Sequence, residues 1–277
     1  MSVALTILVD NHSADAALKA EHGLSLLLSS PTRRVLYDAG ATAETLLHNA
    51  AQLGVPLESV DAVILSHGHY DHTGGLEAVV RCRRGMHVYA HPDAFARRWA
   101  EKPGETLRDI SCPHHLRKLC ELGAVIHAVK APEKLDGWLV LSGPIGGPPA
   151  GPAHFVVRRG DQMCRDGFED ELFAMVRGRS GWAVVSGCCH RGVRNTLKAA
   201  RFLAKGEPIV AFVGGLHLGS ATDEEIDEAA AALEAASGDT PLDLYPLHCT
   251  GQKAVEAFRK RFGERVHPAA GGTKIEW

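Results

Sequence analysis

Apolar residues along this chain come in short runs that alternate with stretches of helical spacing. Val3–Val9, Leu24–Leu28 and Arg34–Tyr37 are expected as strands, being short, apolar and rich in branched side chains. Ala43–Leu53 has helical apolar spacing and stops at Gly54. Ala62–Leu65 is the next expected strand, Leu76–Arg83 the next helix and His87–Ala90 a further short strand.

The last third repeats one unit three times: a strand, a loop carrying histidine, a helix. Trp182–Gly187 leads to Cys188-Cys189-His190 and an expected helix Val193–Ala204. Ile209–Gly214 leads to Gly215-Leu216-His217 and an expected helix Glu224–Ala236, opened by Thr222 and Glu225 at capping-box spacing. Leu242–Leu247 leads to His248-Cys249-Thr250-Gly251 and an expected helix Ala254–Phe262. Alternation of this kind predicts an α/β fold, which places its sites at the C-terminal ends of strands.

Two segments break the pattern. Residues 92–123 interleave Arg97, Arg98, Lys102, Arg108, Arg117 and Lys118 with Trp99, His114 and His115. They are expected as one or two helices, either a helical insertion over a substrate cleft or a solvated basic face. Residues 143–153 are Gly and Pro-rich and are expected as a long loop.

Composition narrows the classes. The chain, 277 residues long, can bury a sizeable core; length alone allows one large domain or two small ones, and a single domain is expected once the resemblance below is added. A net charge of -3 without long blocks of one sign speaks against a nucleic-acid surface or a polybasic membrane contact. The first residues lack a basic start and a long apolar run, and no stretch reaches the length of a membrane span, so a cytoplasmic location is expected. Seven irregularly spaced cysteines argue against a disulfide framework. Cys188, Cys189 and Cys249 stand beside candidate ligands, with metal or redox chemistry and simple packing both open.

The chemistry concentrates in Ser66-His67-Gly68-His69-Tyr70-Asp71-His72-Thr73-Gly74-Gly75, directly after the run Ala62–Leu65. Three imidazoles and a carboxylate at this density offset their desolvation best by coordinating a cation. His67 and His69, two apart, can reach one ion; Asp71 and His72 can turn to a second beside it. Each ion needs further ligands, and the later strand-end histidines are the obvious supply.

His67-x-His69-x-Asp71-His72 resembles the signature of the metallo-β-lactamase superfamily. That resemblance implies an αββα sandwich with a metal site at one edge of two facing sheets. It further implies that His67, His69 and His190 hold one metal, and that Asp71, His72 and His248 hold a second. Leu36-Tyr37-Asp38-Ala39-Gly40 resembles the family's supporting strand-end segment, with Asp38 orienting a ligand histidine or serving as a turn residue. Asp10-Asn11, Glu21-His22-Gly23, Gly187–His190, Gly214–Leu218 and His248–Gly251 are similar to the dihydropterin-synthase-like branch, whose archaeal members serve methanopterin biosynthesis. Other relatives of that branch are known only as metal-dependent hydrolases.

Two departures from the family pattern stand out. Many hydrolases of the superfamily carry a bridging Asp after a late strand, where this chain has Gly215-Leu216-His217. His217 is thus a ligand, a donor to a substrate phosphate or oxyanion, or a structural imidazole. The Gly and Pro loop also lacks the Arg that relatives often carry there. Arg97 and Arg98 are candidates to clamp an anionic substrate. His22 faces the site or sits in a surface turn, and His91 is expected to cap the helix after it rather than to bind metal. The resemblance implies two divalent ions, zinc first and manganese or iron as alternatives, and a phosphate-bearing small-molecule substrate. Asp71 would hold or deprotonate water for hydrolysis, or the metals would hold a diphosphate leaving group for pterin transfer. A non-catalytic metal-binding or redox-sensing module is the competing class.

Overall fold

The computed structural model describes residues 3–101, 104–148 and 154–277. Their strands form a seven-stranded sheet, a six-stranded sheet and a smaller four-stranded sheet. In the first, Arg34–Tyr37, Ala62–Ile64, His87–Ala90 and Val125–Ala128 run parallel. In the second, Trp182–Ser186, Ile209–Gly214 and Asp243–Pro246 run parallel. Outside residues 92–123 the expected elements recur within a residue or two of their ends.

Strand alternation sorts the apolar residues into three layers. Leu26, Leu28, Val35, Tyr37, Ala62 and Ile64 face inward and meet Leu139, Ala174, Val176, Ala183, Val185 and Val213 of the second sheet. Leu27, Leu36, Val63 and Val88 point outward, beneath Leu46 of helix Ala43–Gln52, Val79 and Val80 of helix Leu76–Cys82, and Leu119 of helix Leu116–Glu121. On the other side Val184, Phe212 and Leu244 lie under helices Val193–Ala204, Asp223–Ser237 and Gln252–Phe262. The result is helix, sheet, sheet, helix. Strands covered on both faces read as continuous apolar runs, which is why the sequence pattern was so plain.

Local chemistry sets the helix ends. Thr42 caps the first helix by accepting from the Thr45 N–H, and Gly54 follows it at φ +66°. Thr222 and Glu225 form the full capping box. His91 accepts from the Asp93 N–H and caps the short turn Pro92–Phe95.

The expectation of a helical insertion at 92–123 is corrected. Apart from that turn and helix Leu116–Glu121, the described part of the segment supplies strands Arg98–Ala100 and Arg108–Asp109. Phe155-Val156-Val157 pair with Ala100-Trp99-Arg98, so partners more than fifty residues away decide the local conformation. Lys102 and residues 149–153 of the Gly and Pro loop lie outside the described residues; residues 143–148 are neither helix nor strand. Among the described residues no helix is long and apolar enough to cross a membrane.

Candidate metal centre

The C-terminal ends of the parallel strands of both sheets meet at one edge, and the histidine-bearing loops leave from there. Ala62–Ile64 delivers His67, His69, Asp71 and His72; Trp182–Ser186 delivers His190; Ile209–Gly214 delivers His217; Asp243–Pro246 delivers His248. The loops turn sharply. Of the six non-glycine residues with positive φ among those described, Asp38, Cys189, His217 and His248 sit at these strand ends, and Phe168 packs on His190. Backbone strain of this sort persists only where its surroundings over-determine it.

The imidazoles of His72, His67 and His248 are aimed by what holds their Nδ1 side. Nδ1 of His72 donates to Asp38 Oδ2 at 2.7 Å, which leaves Nε2 pointing into the centre. Asp38 also accepts from the Ser66 N–H at 2.7 Å and from Ser66 Oγ at 2.6 Å, and that hydroxyl lies 2.9 Å from His67 Nδ1. Nδ1 of His248 donates to Asn11 Oδ1 at 2.8 Å, and its N–H donates to Asp10 Oδ1 at 2.8 Å. Glu171 accepts from the N–H groups of His190 and Arg191 at 2.7 and 2.6 Å, and Phe168 stacks on the His190 ring at 4.1 Å. His22 does face the site: its Nε2 lies 3.2 Å from Asp71 Oδ2.

Charge follows this packing. Burial, with neighbouring imidazoles adding to it, holds His67 and His190 well below the usual histidine range; burial holds His69 there too. Burial also opposes the charge on His72, but Asp38 and Asp71 outweigh it and raise this imidazole to about 9. Burial works against ionised Asp71 as well, yet His72, His22 and His248 hold its carboxyl well below the usual range. For Cys188 burial dominates, and Cys249 pushes the same way, so its thiol is well above the ordinary value.

Whether these residues suit a cation is tested by their unpaired atoms. Nε2 of His67, His69 and His248, both ring nitrogens of His190 and Nδ1 of His217 are buried without a hydrogen-bond partner. Each such group costs about 1–3 kcal/mol. They are not scattered: the ligand atoms of His67, His69 and His190 lie within 4.8 Å of one another, as do those of His22, Asp71 and His248. Converging nitrogen and oxygen donors of this kind fit a divalent ion.

Arg98 does not serve the expected role. Arg98 is fully buried, with Nε 2.7 Å from Asp166 Oδ2, Nη2 2.8 Å from Asp170 Oδ1 and Nη1 donating to the Asp93 carbonyl. Two carboxylates already occupy its guanidinium, so it cannot clamp a substrate. Asp170 in turn accepts from the Gly68 N–H at 2.8 Å and so holds the histidine loop. Arg97 pairs with Asp109, lies over the Trp99 ring and lines a separate cavity with Tyr70 and Ser111. Instead a cleft of about 690 Å³ opens beside His190 and His217, lined also by His154, Arg165, Arg194 and Asn195. Arg191 braces it, donating to the carbonyls of Ile145, Gly147 and Gly167. Glu171, Asp170, Asp166 and Phe168 were missed from sequence. Their only signal is the density of acids in 166–171, which reads as a solvated surface until the fold buries it.

Residues 18–164 match the profile of the metallo-beta-lactamase superfamily. Over 279 residues, 95% of this chain and 93% of the other, the chain is 28% identical to the 7,8-dihydropterin-6-methyl-4-(beta-D-ribofuranosyl)-aminobenzene-5'-phosphate synthase of Methanocaldococcus jannaschii. The crystal structure of Tm1679, a metal-dependent hydrolase of the beta-lactamase superfamily, matches with a TM-score of 0.83 at 29% identity, covering 99% of this chain and 98% of that one. A diphosphatase from the PhnP family matches with a TM-score of 0.56 at 15% identity, over 100% and 98% of the two chains, a likeness of fold alone.

Proposed function

The chain belongs to the metallo-β-lactamase superfamily, and from that premise we infer that it is a metal-dependent enzyme that hydrolyses a phosphate ester or diphosphate of a small molecule. The observation that carries this reading is the convergence of the buried, unpaired imidazole nitrogens of His67, His69 and His190 on one another, with His190 also lining a cleft. His67, His69 and His190 would hold one divalent ion, and Asp71, His72 and His248 a second. Zinc is the first candidate; manganese and iron fit the same nitrogen and oxygen donors. When bound, such ions supply Lewis acidity and lower the pKa of water.

The remaining work falls to the side chains. Asp71, kept ionised by three imidazoles, accepts a hydrogen of the attacking water at Oδ2 and cannot act as the acid. His217 lines the cleft. Burial opposes its charge, but Cys249 outweighs it and raises its pKa, which suits a donor of the proton that the leaving oxygen takes. Arg194, exposed at the rim near Glu228, is a guanidinium of the cleft that can meet the phosphate.

A pterin-transferring reaction is the second reading, favoured by the archaeal synthase that matches nearly the whole chain. Against it, no Phe, Tyr or Trp lines the cleft among the described residues, so a pterin ring would lack a stacking platform there. The test is metal analysis of the purified protein, then a panel of phosphomonoesters, phosphodiesters and diphosphates. A dihydropterin diphosphate is assayed beside them, with and without an aminobenzene acceptor. Hydrolysis without acceptor supports the first reading; pyrophosphate release that requires the acceptor assigns the second. Turnover unchanged by His69→Ala would overturn both.

A further inference from the structure

We propose that Cys188 is itself a metal ligand, its sulfur standing between the two halves of the centre, so that the site takes a thiophilic ion such as Zn²⁺ or Co²⁺ in preference to Mn²⁺. The proposal rests on the metal-centre reading above and adds to it a donor of a different kind.

The placement comes first. The Cys188 sulfur lies within 4.8 Å of ligand atoms of His67 and His72, of His190 and His217, and of His248 and Cys249. It therefore belongs to neither trio alone and borders both. Its distance to His72 Nε2 is 3.1 Å. A sulfur at about 2.3 Å and a nitrogen at about 2.05 Å from one ion stand ~3.1 Å apart at a right angle and ~3.6 Å apart at the tetrahedral angle. The observed spacing falls at the short end of that range.

The neighbouring cysteine provides a control within the fold. Cys189, at φ +59°, turns its sulfur to Ser186 Oγ at 3.1 Å and Thr196 Oγ1 at 3.6 Å, among the apolar side chains under helix Val193–Ala204. The chain thus reverses between the two: one sulfur packs, the other meets six donor-bearing residues. Packing alone does not account for Cys188, since its surroundings are imidazoles with unpaired nitrogens.

Charge gives the reason for a sulfur here. Two divalent ions bring four positive charges, and among the six candidate ligands only Asp71 is anionic. Asp38 and Glu171 are turned away, to the N–H groups behind the ligands. The late strand Ile209–Gly214 ends in Gly215-Leu216-His217 and brings no carboxylate. A thiolate at Cys188 supplies the second negative charge between the ions. On binding, the S–H proton leaves to solvent and an S–metal bond takes its place; no electrons are transferred. Soft thiolate donors select zinc, cobalt and iron over the harder manganese and magnesium.

The experiment loads the full-length apoprotein with Co²⁺ and records its absorption, comparing wild type with Cys188→Ser and Cys249→Ser. We expect visible d–d bands together with a near-ultraviolet sulfur-to-cobalt charge-transfer band in wild type. Cys188→Ser keeps the d–d bands and loses the charge-transfer band; Cys249→Ser keeps both. Direct titration should also show Zn²⁺ affinity falling on the order of tenfold or more in Cys188→Ser, the scale on which even outer-shell losses act, with Mn²⁺ affinity nearly unchanged. Absence of the charge-transfer band in cobalt-loaded wild type overturns the proposal even if the variants fail to fold, and so does its survival in Cys188→Ser. Absence of any bound cobalt overturns the metal centre itself, a distinct outcome.

Discussion

Replacement of Arg98 by Met tests how the histidine loop is held. The substitution keeps most of the side-chain volume and removes one buried guanidinium, leaving Asp166 and Asp170 fully buried without their counter-charge. Breaking a buried ion pair from one side typically costs 3–5 kcal/mol, because the abandoned charge, not the lost contact, sets the penalty. Here two carboxylates share one cation, so about 4 kcal/mol at pH 7 is the expected loss. Burial already pushes the Asp170 carboxyl up against the pull of Arg98, so without Arg98 it should protonate at mildly acid pH. The loss should therefore shrink toward pH 5. Urea unfolding of the metal-free wild type and Arg98→Met at pH 7 and pH 5 measures both effects. The midpoint should shift with the slope unchanged. A loss below about 1 kcal/mol at pH 7, or the same loss at both pH values, would refute the reasoning. Adding Asp166→Leu and Asp170→Asn to Arg98→Met should recover most of the stability, since a neutral amide can still accept from Gly68.

The other predictions concern the centre more directly. His72 sits at about 9 in the metal-free chain, so a cation must displace its proton at neutral pH. Apparent affinity for Zn²⁺ should rise with pH up to about 9, and calorimetry in buffers of different ionisation heat should show the released proton. Asp38→Ala frees the His72 ring, removes the acceptor of both Ser66 groups and should weaken metal binding 10- to 100-fold with fewer protons released, as read by competition with a chromophoric chelator. Gly74→Ala would set a Cβ 1.8 Å from the backbone oxygen of Ala41, so a loss of about 3 kcal/mol or more is expected in denaturant unfolding.

Legibility in the sequence tracked how local the determining forces are. The histidine cluster was readable because its members are contiguous and follow one buried strand. The three strand–histidine–helix units were readable because parallel strands covered on both faces announce themselves as apolar runs. The αββα layering followed from the resemblance and is the observed fold. Strand Arg98–Ala100 was misread as helix because its partner Phe155–Arg159 lies far along the chain, and basic residues between aromatics carry no period of their own. Arg98 looked like a surface cation for the same reason: its partners Asp166 and Asp170 reach it only after folding. His22 could not be assigned because its contact with Asp71 depends on how two loops meet.

The ligand candidates come from both sheets: His67 to His72 hang from the first, His190 and His248 from the second. An ion shared between them would tie together points more than a hundred residues apart in the chain. In polymer terms it is a reversible cross-link closing a long loop, and closing a loop of about 100 residues removes up to ~4.7 kcal/mol of chain entropy from the unfolded ensemble in the disulfide case. Chelation would thus do more than silence chemistry: it would unlace the two halves of the sandwich at their shared edge.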